Sequence, residues 1–434
     1  MTATPTFFLW TIGCQMNKAE SERLTNHLKC LGFDEAATAE EANFIVLNTC
    51  VVRRSAEERT LNKLANLKGL KQAGAGRSIV VTGCFVGPER EELHRRFPHV
   101  DFFFGPGDFG DFADWTTELT GIRTAGDSSF LTAHPDVSSF VPIMQGCDNF
   151  CTYCIVPYRR GRERSRPVKE VICEVERLVQ RGTGEVTLVG QNVNSYGHDL
   201  PGNPALSDLL LKLSEIDALK RLRFLTNHPK DMSPRLIETM AALDKVCEHL
   251  NLPAQSGDDD ILRAMGRGYT VSQYSKVVEE IRRIPHVSLS TDIIVGFPGE
   301  TAGQFQNTLN LLSRTRFDAV HAAAYSPRPG TVASRTLKDD VPAGEKKRRL
   351  LEVETVQEAI AGEINRELVG QDVEVLVEGR KKDKWEGRTR SNKLVFFPCN
   401  DHNMGEPRGE VVTVQIEKAT AWSLQGKIVD YEPK

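Results

Sequence analysis

The chain alternates short apolar runs with helical patterns in two separate regions, which restricts it to folds built on parallel sheets. In the first third, apolar runs at 7–10, 44–47 and 79–81 enclose helical patterns at about 18–31 and 55–70. A second series provides strand candidates at 141–144, 185–189, 222–225, 249–252, 288–295 and 319–325. Six strand–helix units predict an incomplete parallel barrel, whose ligands would lie beyond the carboxyl ends of the strands.

Changes in pattern divide the chain into three parts. Residues 122–139 lose periodicity and collect Ser, Thr, Gly and Pro, which is typical of a linker. After a charged helical stretch at 342–368, strict β alternation continues to about residue 430 and predicts a small antiparallel β-barrel. The predicted fold class is therefore α/β, with an open parallel α/β sheet at 1–125, a partial (β/α)6 barrel at 135–366 and a β-barrel at 367–434.

Composition limits the classes of partner. The 434 residues are 40% hydrophobic and 26% charged, as in an ordinary globular protein, and the net charge of −4 gives no general affinity for nucleic acid. Any basic surface must be local. No apolar stretch approaches the roughly 20 residues of a membrane-spanning helix, and the first residues lack the pattern of a secretory signal. We therefore expect a cytoplasmic protein without a membrane partner, in which the ten cysteines are reduced.

Cys147, Cys151 and Cys154 form a CxxxCxxC motif directly after the first strand of the predicted barrel. Three thiolates on one loop can bind a 4Fe-4S cluster and leave its fourth iron open to a further ligand. A zinc site completed by a ligand from elsewhere, or three unrelated buried thiols, are the alternatives.

A second set of cysteines is dispersed in the sequence. Cys14, Cys50 and Cys84 each follow a predicted parallel strand of the first domain within one to three residues. Their loops should converge at one edge of the sheet, which predicts a second open cluster, although three inert thiols are an equal alternative. We interpret the remaining cysteines as small buried side chains without a role: Cys30, Cys173, Cys247 and Cys399.

The segment GCDNFCTYCIVPYRRGRERSRP at 146–167 resembles the signature of the radical S-adenosylmethionine methylthiotransferases. Further motifs are similar to that family and occur in its order: TIGCQMN, NTCVVRRSAEER, VTGC, GQNVNSYG, NLPAQSG, MGRGYT, TDIIVGFPGET and YSPRPGT. The resemblance covers essentially the whole chain. It implies a methylthiotransferase domain, a radical S-adenosylmethionine barrel and a C-terminal TRAM domain. GQNV and GRTRSNKLVFF are most similar to the branch that modifies tRNA.

This resemblance implies a chemistry for both cysteine sets. Cys147, Cys151 and Cys154 would hold a 4Fe-4S cluster that binds S-adenosylmethionine, whose cleavage yields a radical. The dispersed set would hold an auxiliary 4Fe-4S cluster carrying the transferred sulfur. The implied enzyme, a transferase, adds a methylthio group to C2 of N6-isopentenyladenosine at tRNA position 37. A carbon–hydrogen bond is broken by the radical, so we assign no acid or base residue.

Two kinds of alternative remain open for the function. Within the family, the acceptor could be threonylcarbamoyl-adenosine in tRNA or a ribosomal protein. In another class, the chain would be a non-catalytic iron-sulfur sensor that binds RNA. For the enzyme, the expected partners are tRNA, a reduced flavodoxin- or ferredoxin-type electron donor and a sulfur donor, and the expected state is a monomer.

Several residues near predicted strand ends are candidates for binding S-adenosylmethionine. Gln191 and Asn192 follow the second barrel strand, although they could equally be ordinary loop residues. Arg267 offers a fork suited to a carboxylate, and the backbone at Gly296 would approach the adenine unless it forms a simple turn. The remaining candidates lie on the fourth and fifth strands: Gln255, Ser256 and Asp292.

Two local concentrations of positive charge are candidates for tRNA contact. The run at 159–169 borders the cluster loop and includes Arg160 and Arg162, although such runs are usually solvated faces. The second, at 380–393, contains Trp385 and lies in the β-barrel, where basic grooves with aromatic side chains commonly bind RNA. Its predicted contacts are Arg388, Asn392 and Lys393.

Overall fold

The computed structural model describes residues 4–73, 76–123, 136–399 and 406–430. The first group of elements contains the helices α1 (Gln15–Cys30), α2 (Arg54–Ala73), α3 (Arg90–Arg96) and α4 (Phe109–Thr120), and the strands β1 (Thr6–Thr11), β2 (Asp34–Glu35), β3 (Phe44–Thr49), β4 (Ser78–Gly83) and β5 (Phe102–Phe103). In this described part the strands form one parallel sheet in the order β2-β1-β3-β4-β5. Strand β3 is buried along its whole length, as a central parallel strand covered on both faces must be.

The second group of elements forms the predicted partial barrel. Its strands are β6 (Ser138–Pro142), β7 (Met144–Gln145), β8 (Arg164–Ser165), β9 (Glu185–Val189), β10 (Arg221–Phe224), β11 (His249–Asn251), β12 (Ser288–Val295) and β13 (Ala319–Ala324). Two parallel sheets, β6-β9-β10 and β11-β12-β13, continue one another through a bridge between Leu222 and Val246. Strand β6 begins inside the expected linker at 122–139, and residues 124–135 of that linker lie outside the described residues.

The helices of this second group are α5 (Val156–Arg160), α6 (Val168–Gln180), α7 (Leu206–Ser214), α8 (Pro234–Ala242), α9 (Asp259–Ala264), α10 (Val271–Ile281), α11 (Ala302–Thr315), α12 (Val332–Thr336) and α13 (Ala343–Arg366). Helix α6 shows why they form. Pro167 precedes its first turn, Gly182 follows its last, and its helical spacing places Val171, Val175 and Leu178 on the buried face. Each such side chain contributes about 1.5–3 kcal/mol by leaving water.

The C-terminal group of strands is a small closed barrel. It contains β14 (Asp372–Lys381), β15 (Lys384–Thr389), β16 (Leu394–Pro398), β17 (Val411–Ala419) and β18 (Leu424–Asp430). Around the barrel the described strands follow the order β14-β15-β16-β18-β17, and all neighbouring pairs are antiparallel except β16 with β18. The predicted alternation is confirmed, because the inward residues Val375, Val377, Val412, Val414 and Ile416 are buried.

Trp385 belongs to the core of this barrel rather than to its surface. Its side chain packs with Phe397 and Val414, and only 8% of the residue is exposed. The expectation that it stacks on RNA bases is therefore corrected. Trp422, in the turn between β17 and β18, is 61% exposed and is the large aromatic side chain that this module presents to solvent within the described residues.

The small barrel docks at the amino ends of the parallel strands. Arg221, the first residue of β10, donates through Nη1 to the carbonyl of Arg388 over 2.7 Å. Arg223 donates through Nη2 to the carbonyl of Thr389 over 2.8 Å and lies 3.0 Å from a Glu185 carboxylate oxygen. These contacts place the β15–β16 hairpin at the end of the barrel opposite to the carboxyl edge.

Basic side chains of that hairpin serve the same interface. Arg390 donates through Nε and Nη2 to the two carboxylate oxygens of Glu248. The ammonium group of Lys393 lies 2.8 Å from a carboxylate oxygen of Asp318, and both side chains are nearly buried. Arg388 faces Glu378 and the carbonyl of Asn392, whose left-handed backbone forms the hairpin turn. The prediction that Lys393 contacts tRNA is therefore corrected, because its ammonium group is paired inside the protein.

In the described part of the chain, no helix is long and apolar enough to cross a membrane.

We predict that Arg223→Met lowers the free energy of unfolding by about 3 kcal/mol, because the buried Glu185 carboxylate loses its nearer guanidinium and keeps only that of Arg221 at 3.9 Å. Urea unfolding followed by circular dichroism measures this. Arg263→Met is the matched control, since it removes an exposed ion pair with Asp260 and should cost no more than about 0.5 kcal/mol. Equal losses in the two variants would show that the buried pair has no special role.

Candidate metal and cofactor sites

The CxxxCxxC cysteines lie on one loop between β7 and α5. The backbone folds this loop back on itself, since the N–H of Cys154 donates to the carbonyl of Cys151 over 2.9 Å. Burial, together with the neighbouring Cys151 thiol, raises the pKa of Cys147 to about 11 and that of Cys154 to about 12. Three neighbouring thiols suit a multivalent cation, which takes them as thiolates.

Arg267 lies fully inside the protein against this loop. Its Nη1 donates to Cys151 Sγ over 3.3 Å, its Nη2 to the carbonyl of Pro253 over 3.0 Å and its Nε to the hydroxyl of Tyr269 over 3.0 Å. We expected this guanidinium to bind a carboxylate of the cofactor. Three of its five N–H groups thus have protein acceptors, and its contact with a carboxylate of the cofactor stays a prediction.

Cys14, Cys50 and Cys84 are brought together by the parallel sheet, since they follow the neighbouring strands β1, β3 and β4. Burial, together with the Cys84 and Cys14 thiols, raises the pKa of Cys50 to about 12. The backbone before Cys84 can approach the backbone before Cys50 because residue 83 is glycine. Its φ is +87°, and a Cβ at Gly83 would lie 2.3 Å from the carbonyl oxygen of Thr49. This second set therefore offers the same kind of donor group as the first.

The loop after β9 contacts the CxxxCxxC loop. Gln191 accepts through Oε1 from the N–H of Gly146 over 2.6 Å, so its side chain supports the loop that carries Cys147. Asn192 donates through Nδ2 to Asp231 over 2.8 Å and to Glu163 over 3.3 Å. Its Oδ1 is buried and accepts no hydrogen bond from any described residue.

The loop after β10 contributes two further buried polar atoms without a partner among the described residues: Asn227 Oδ1 and His228 Nε2. Burial, reinforced by the charges of Arg267 and Lys230, lowers the pKa of His228 to about 2, so the ring is neutral. Nδ1 of His228 accepts from the N–H of Lys230, which places the ring proton on Nε2. These two residues were missed in the sequence, where polar residues after the second, fourth and fifth strands were selected but not those after the third.

Gln255 follows β11, and Asp292 lies inside the neighbouring strand β12. The N–H of Gln255 donates to the carbonyl of Asp292 over 2.8 Å, and its φ of +68° is unusual for a residue other than glycine. Asp292 accepts through Oδ2 from Asn251 over 3.2 Å. The structure thus brings the two residues together, and their contact with a cofactor stays a prediction.

Two other predicted contacts, Ser256 and Gly296, lie beside neighbouring helices. Ser256 is buried, and its Oγ lies 3.4 Å from the hydroxyl of Thr308 in α11. At Gly296, a Cβ would lie 2.4 Å from Cγ of Lys346 in α13, so the missing side chain makes room for that lysine. Both residues therefore pack beside helices, and the predicted contacts of Ser256 and Gly296 with the cofactor stay predictions.

The basic run after the cluster loop divides into buried and exposed residues. Arg160 donates through Nη1 and Nη2 to the two carboxylate oxygens of Glu20, and only 2% of the Arg160 side chain is exposed. The prediction that Arg160 contacts a tRNA phosphate is therefore corrected. Arg162 remains accessible, with 72% of its side chain exposed beside Asp148.

Phe150 is an exposed aromatic residue within the CxxxCxxC motif, and sequence reasoning did not single it out. It is 42% exposed, and its φ of +46° is unfavourable for a bulky side chain. The guanidinium of Arg162 lies over its ring, 5.3 Å from the ring centre. A signal was available in the sequence, because Phe150 is the one aromatic residue between Cys147 and Cys151.

Three family models match successive parts of the chain. They are described as Uncharacterized protein family UPF0004 at residues 6–105, Radical SAM superfamily at 141–312 and TRAM domain at 366–429. A tRNA-2-methylthio-N(6)-dimethylallyladenosine synthase of Dehalococcoides mccartyi is 50% identical over 426 residues, which cover 98% of this chain and 99% of the relative. Synthases of the same name from Herpetosiphon aurantiacus and Moorella thermoacetica are 46% and 42% identical over 98% and 99% of this chain, and over 97% and 99% of the relatives.

The chain belongs to this family of radical S-adenosylmethionine methylthiotransferases. The resemblance inferred from the motifs is thus confirmed, and so is the α/β fold class.

Solved structures support the fold at low identity. The radical S-adenosylmethionine methyltransferase TsrM of Kitasatospora setae matches with a TM-score of 0.55 at 14% identity over 76% of this chain and 77% of its own. The cobalamin-dependent enzyme OxsB matches with a TM-score of 0.52 at 12% identity over 82% of this chain and 56% of its own.

Membership implies S-adenosylmethionine and a 4Fe-4S cluster, and the residues at the carboxyl edge fit both. The thiols of Cys147, Cys151 and Cys154 are the donor set that iron–sulfur clusters require. The unpartnered atoms of Asn192, Asn227 and His228 offer two acceptors and one donor in a buried position, which suits a ligand that carries amino, carboxylate and hydroxyl groups.

We predict that Asn192→Ala weakens binding of S-adenosylmethionine about tenfold, because one hydrogen bond of about 1.4 kcal/mol is lost. Equilibrium dialysis against the anaerobically reconstituted protein measures the dissociation constant. Asn307→Ala, at an exposed position of α11, is the control and should bind as the unsubstituted protein does. An unchanged dissociation constant for Asn192→Ala would remove this residue from the cofactor site.

Proposed function

We propose that the protein is a tRNA methylthiotransferase that adds a methylthio group to C2 of N6-isopentenyladenosine at position 37, next to the anticodon. The observation that carries this proposal is the presence of two three-cysteine sets, each at the carboxyl edge of a parallel sheet. The name and full-length similarity of the relatives support the same reaction. The TRAM match supports RNA as the substrate class.

The two sets divide the work in this proposal. When bound at Cys147, Cys151 and Cys154, the cluster and S-adenosylmethionine would supply a radical able to break a carbon–hydrogen bond. Asn192, Asn227 and His228 hold and orient the cofactor through their unpartnered buried atoms. Cys14, Cys50 and Cys84 fit a second 4Fe-4S cluster, because they too form a three-thiol donor set, in which Cys50 and Cys84 are buried and Cys14 is exposed. A reduced flavodoxin- or ferredoxin-type protein and a sulfur donor complete the proposed partners.

The reaction is tested by anaerobic reconstitution with reductant, S-adenosylmethionine and isopentenylated tRNA, followed by mass spectrometry of the digested RNA. We predict that Cys151→Ala abolishes both 5′-deoxyadenosine and methylthioadenosine, whereas Cys84→Ala keeps 5′-deoxyadenosine and loses only the methylthio product. The difference arises because the two cysteine sets have different roles. Cys173→Ala, a half-buried cysteine outside both sets, is the control and should keep full activity.

Other outcomes distinguish the alternative functions. If 5′-deoxyadenosine forms but this tRNA is not modified, the acceptor is another one, such as threonylcarbamoyl-adenosine in tRNA or a ribosomal protein. If the reconstituted protein binds RNA and forms neither product, the non-catalytic iron-sulfur sensor is the better account.

The surface formed by Phe150 and Arg162 is the proposed contact for the anticodon loop. An exposed aromatic ring beside an accessible guanidinium provides a stacking face and a phosphate partner, and both lie on or next to the CxxxCxxC loop. We predict that Phe150→Ala raises the KM for tRNA about tenfold, because stacking contributes about 1–3 kcal/mol per base. Steady-state kinetics measures this, with the equally exposed Leu211→Ala on α7 as the control. A KM that does not change would exclude Phe150 from RNA binding.

A further inference from the structure

Arg160 is a buried arginine whose three guanidinium nitrogens all contact the N-terminal domain. Nη1 and Nη2 donate to the two oxygens of Glu20 over 2.6 and 3.2 Å, and Nε donates to Cys84 Sγ over 3.2 Å. The side chains of Arg160 and Glu20 are 2% and 4% exposed. Although burial opposes the charged form, Cys84 and Glu20 hold the pKa of this guanidinium well above its usual range. A permanent positive charge therefore lies beside one sulfur of the dispersed cysteine set.

The helix that carries Arg160 also connects the two cysteine sets. Cys154 lies two residues before α5, and Arg160 is the last residue of that helix. Five helical residues rise only about 7.5 Å. Ile155, between Cys154 and α5, packs into the apolar core of the N-terminal domain with Cys84 and Val86. The short segment 154–160 therefore begins at Cys154 of the CxxxCxxC set and ends at Arg160, whose guanidinium donates to Cys84 of the dispersed set.

Glu20 completes the connection from the other side. It lies on α1, the helix that begins directly after Cys14. Its ion pair with Arg160 thus joins the helix after Cys14 to the helix after Cys154. The packing of α1 against the barrel supports this position, since Met16 and Ala19 form an apolar cluster with Val189 of β9.

A purely structural role does not account for this arrangement. Withdrawing two charges from water costs as much as a buried ion pair regains, and an apolar pair of similar volume would hold the two domains equally well. The hydrogen bond from Nε to Cys84 Sγ adds nothing that domain packing needs. Arg267 makes the corresponding contact with Cys151 in the other set, so one sulfur of each set accepts from a buried guanidinium.

We propose that Arg160 is a positioning residue that sets the electron density on the Cys84 sulfur and thereby the reduction potential of the cluster held by the dispersed cysteine set. This inference rests on the proposed function, since it assumes that Cys14, Cys50 and Cys84 hold a cluster. Hydrogen bonds and positive charge at a ligand sulfur favour the reduced form of an iron–sulfur cluster and so raise its reduction potential.

The test isolates the second cluster in the full-length chain. Replacing Cys147, Cys151 and Cys154 by Ala removes the ligands of the first set, so the remaining electron paramagnetic resonance signal comes from the dispersed set. Potentiometric titration of that signal gives its midpoint potential. We expect Arg160→Gln to shift the ratio of oxidised to reduced cluster at least tenfold toward the oxidised form, which for one electron is about 59 mV lower.

Glu20→Gln provides the decisive comparison. It removes a negative charge and leaves the guanidinium beside Cys84, so we expect the midpoint potential to rise. Both variants break the same ion pair, and general loosening of the interface would move both potentials in the same direction. Arg160→Lys, which keeps the charge without the fork, should restore part of the potential lost in Arg160→Gln. Arg263→Gln, which breaks an exposed pair with Asp260, is the control and should leave the potential unchanged.

Three results would overturn the inference. Equal potentials for the unsubstituted, Arg160→Gln and Glu20→Gln forms would show that the guanidinium does not affect the cluster. Shifts in the same direction for both variants would assign Arg160 to domain packing alone. If the triple-alanine chain with Arg160 intact binds no iron, the second cluster itself is wrong, and the proposed function fails before Arg160 is tested. If Arg160→Gln does not fold, Glu20→Gln and Arg160→Lys keep the comparison of opposite shifts.

Discussion

The common direction of the strands is the constraint on which this molecule depends. In a parallel sheet every strand ends at the same edge, so the loops that follow the strands meet there however far apart they lie in the sequence. This is why Cys14, Cys50 and Cys84 converge after β1, β3 and β4. The same rule places the polar loops after β9 and β10 beside the CxxxCxxC loop. The small C-terminal barrel docks at the opposite edge of the partial barrel, where the parallel strands begin.

Buried guanidinium groups mark both edges of the partial barrel. At the carboxyl edge, Arg160 and Arg267 each donate to a cysteine sulfur. At the amino edge, Arg221 and Arg223 donate to backbone carbonyls of the docked hairpin. Desolvating an arginine is costly, and here the cost is offset because several nitrogens of each group find acceptors. The charged residues that appear in the sequence as possible RNA contacts are therefore partly structural.

Local patterns predicted the regular elements well. Strands β9 and β12 and helix α6 lie where the apolar periodicity and the terminal Pro and Gly indicated. The start of β6 was wrong, because its Ser138 and Ser139 form hydrogen bonds with Glu185 and Thr183 on neighbouring segments, which no local pattern records. The spacing of the CxxxCxxC motif identified three of the six cysteines. The other three were identified because each follows a predicted parallel strand, and loops after parallel strands meet at one edge of the sheet.

The sequence by itself determined the parallel α/β organisation, the two cysteine sets and membership of the family, since periodicity and motif spacing are local properties of the chain. Only the tertiary structure decided which charges are buried and what they contact. Arg160 and Glu20 are 140 residues apart, and nothing near either residue identifies the other. Their pairing follows from the packing of α1 on the barrel. A charged side chain is therefore solvated or structural according to its distant neighbours, which depend on how the domains pack.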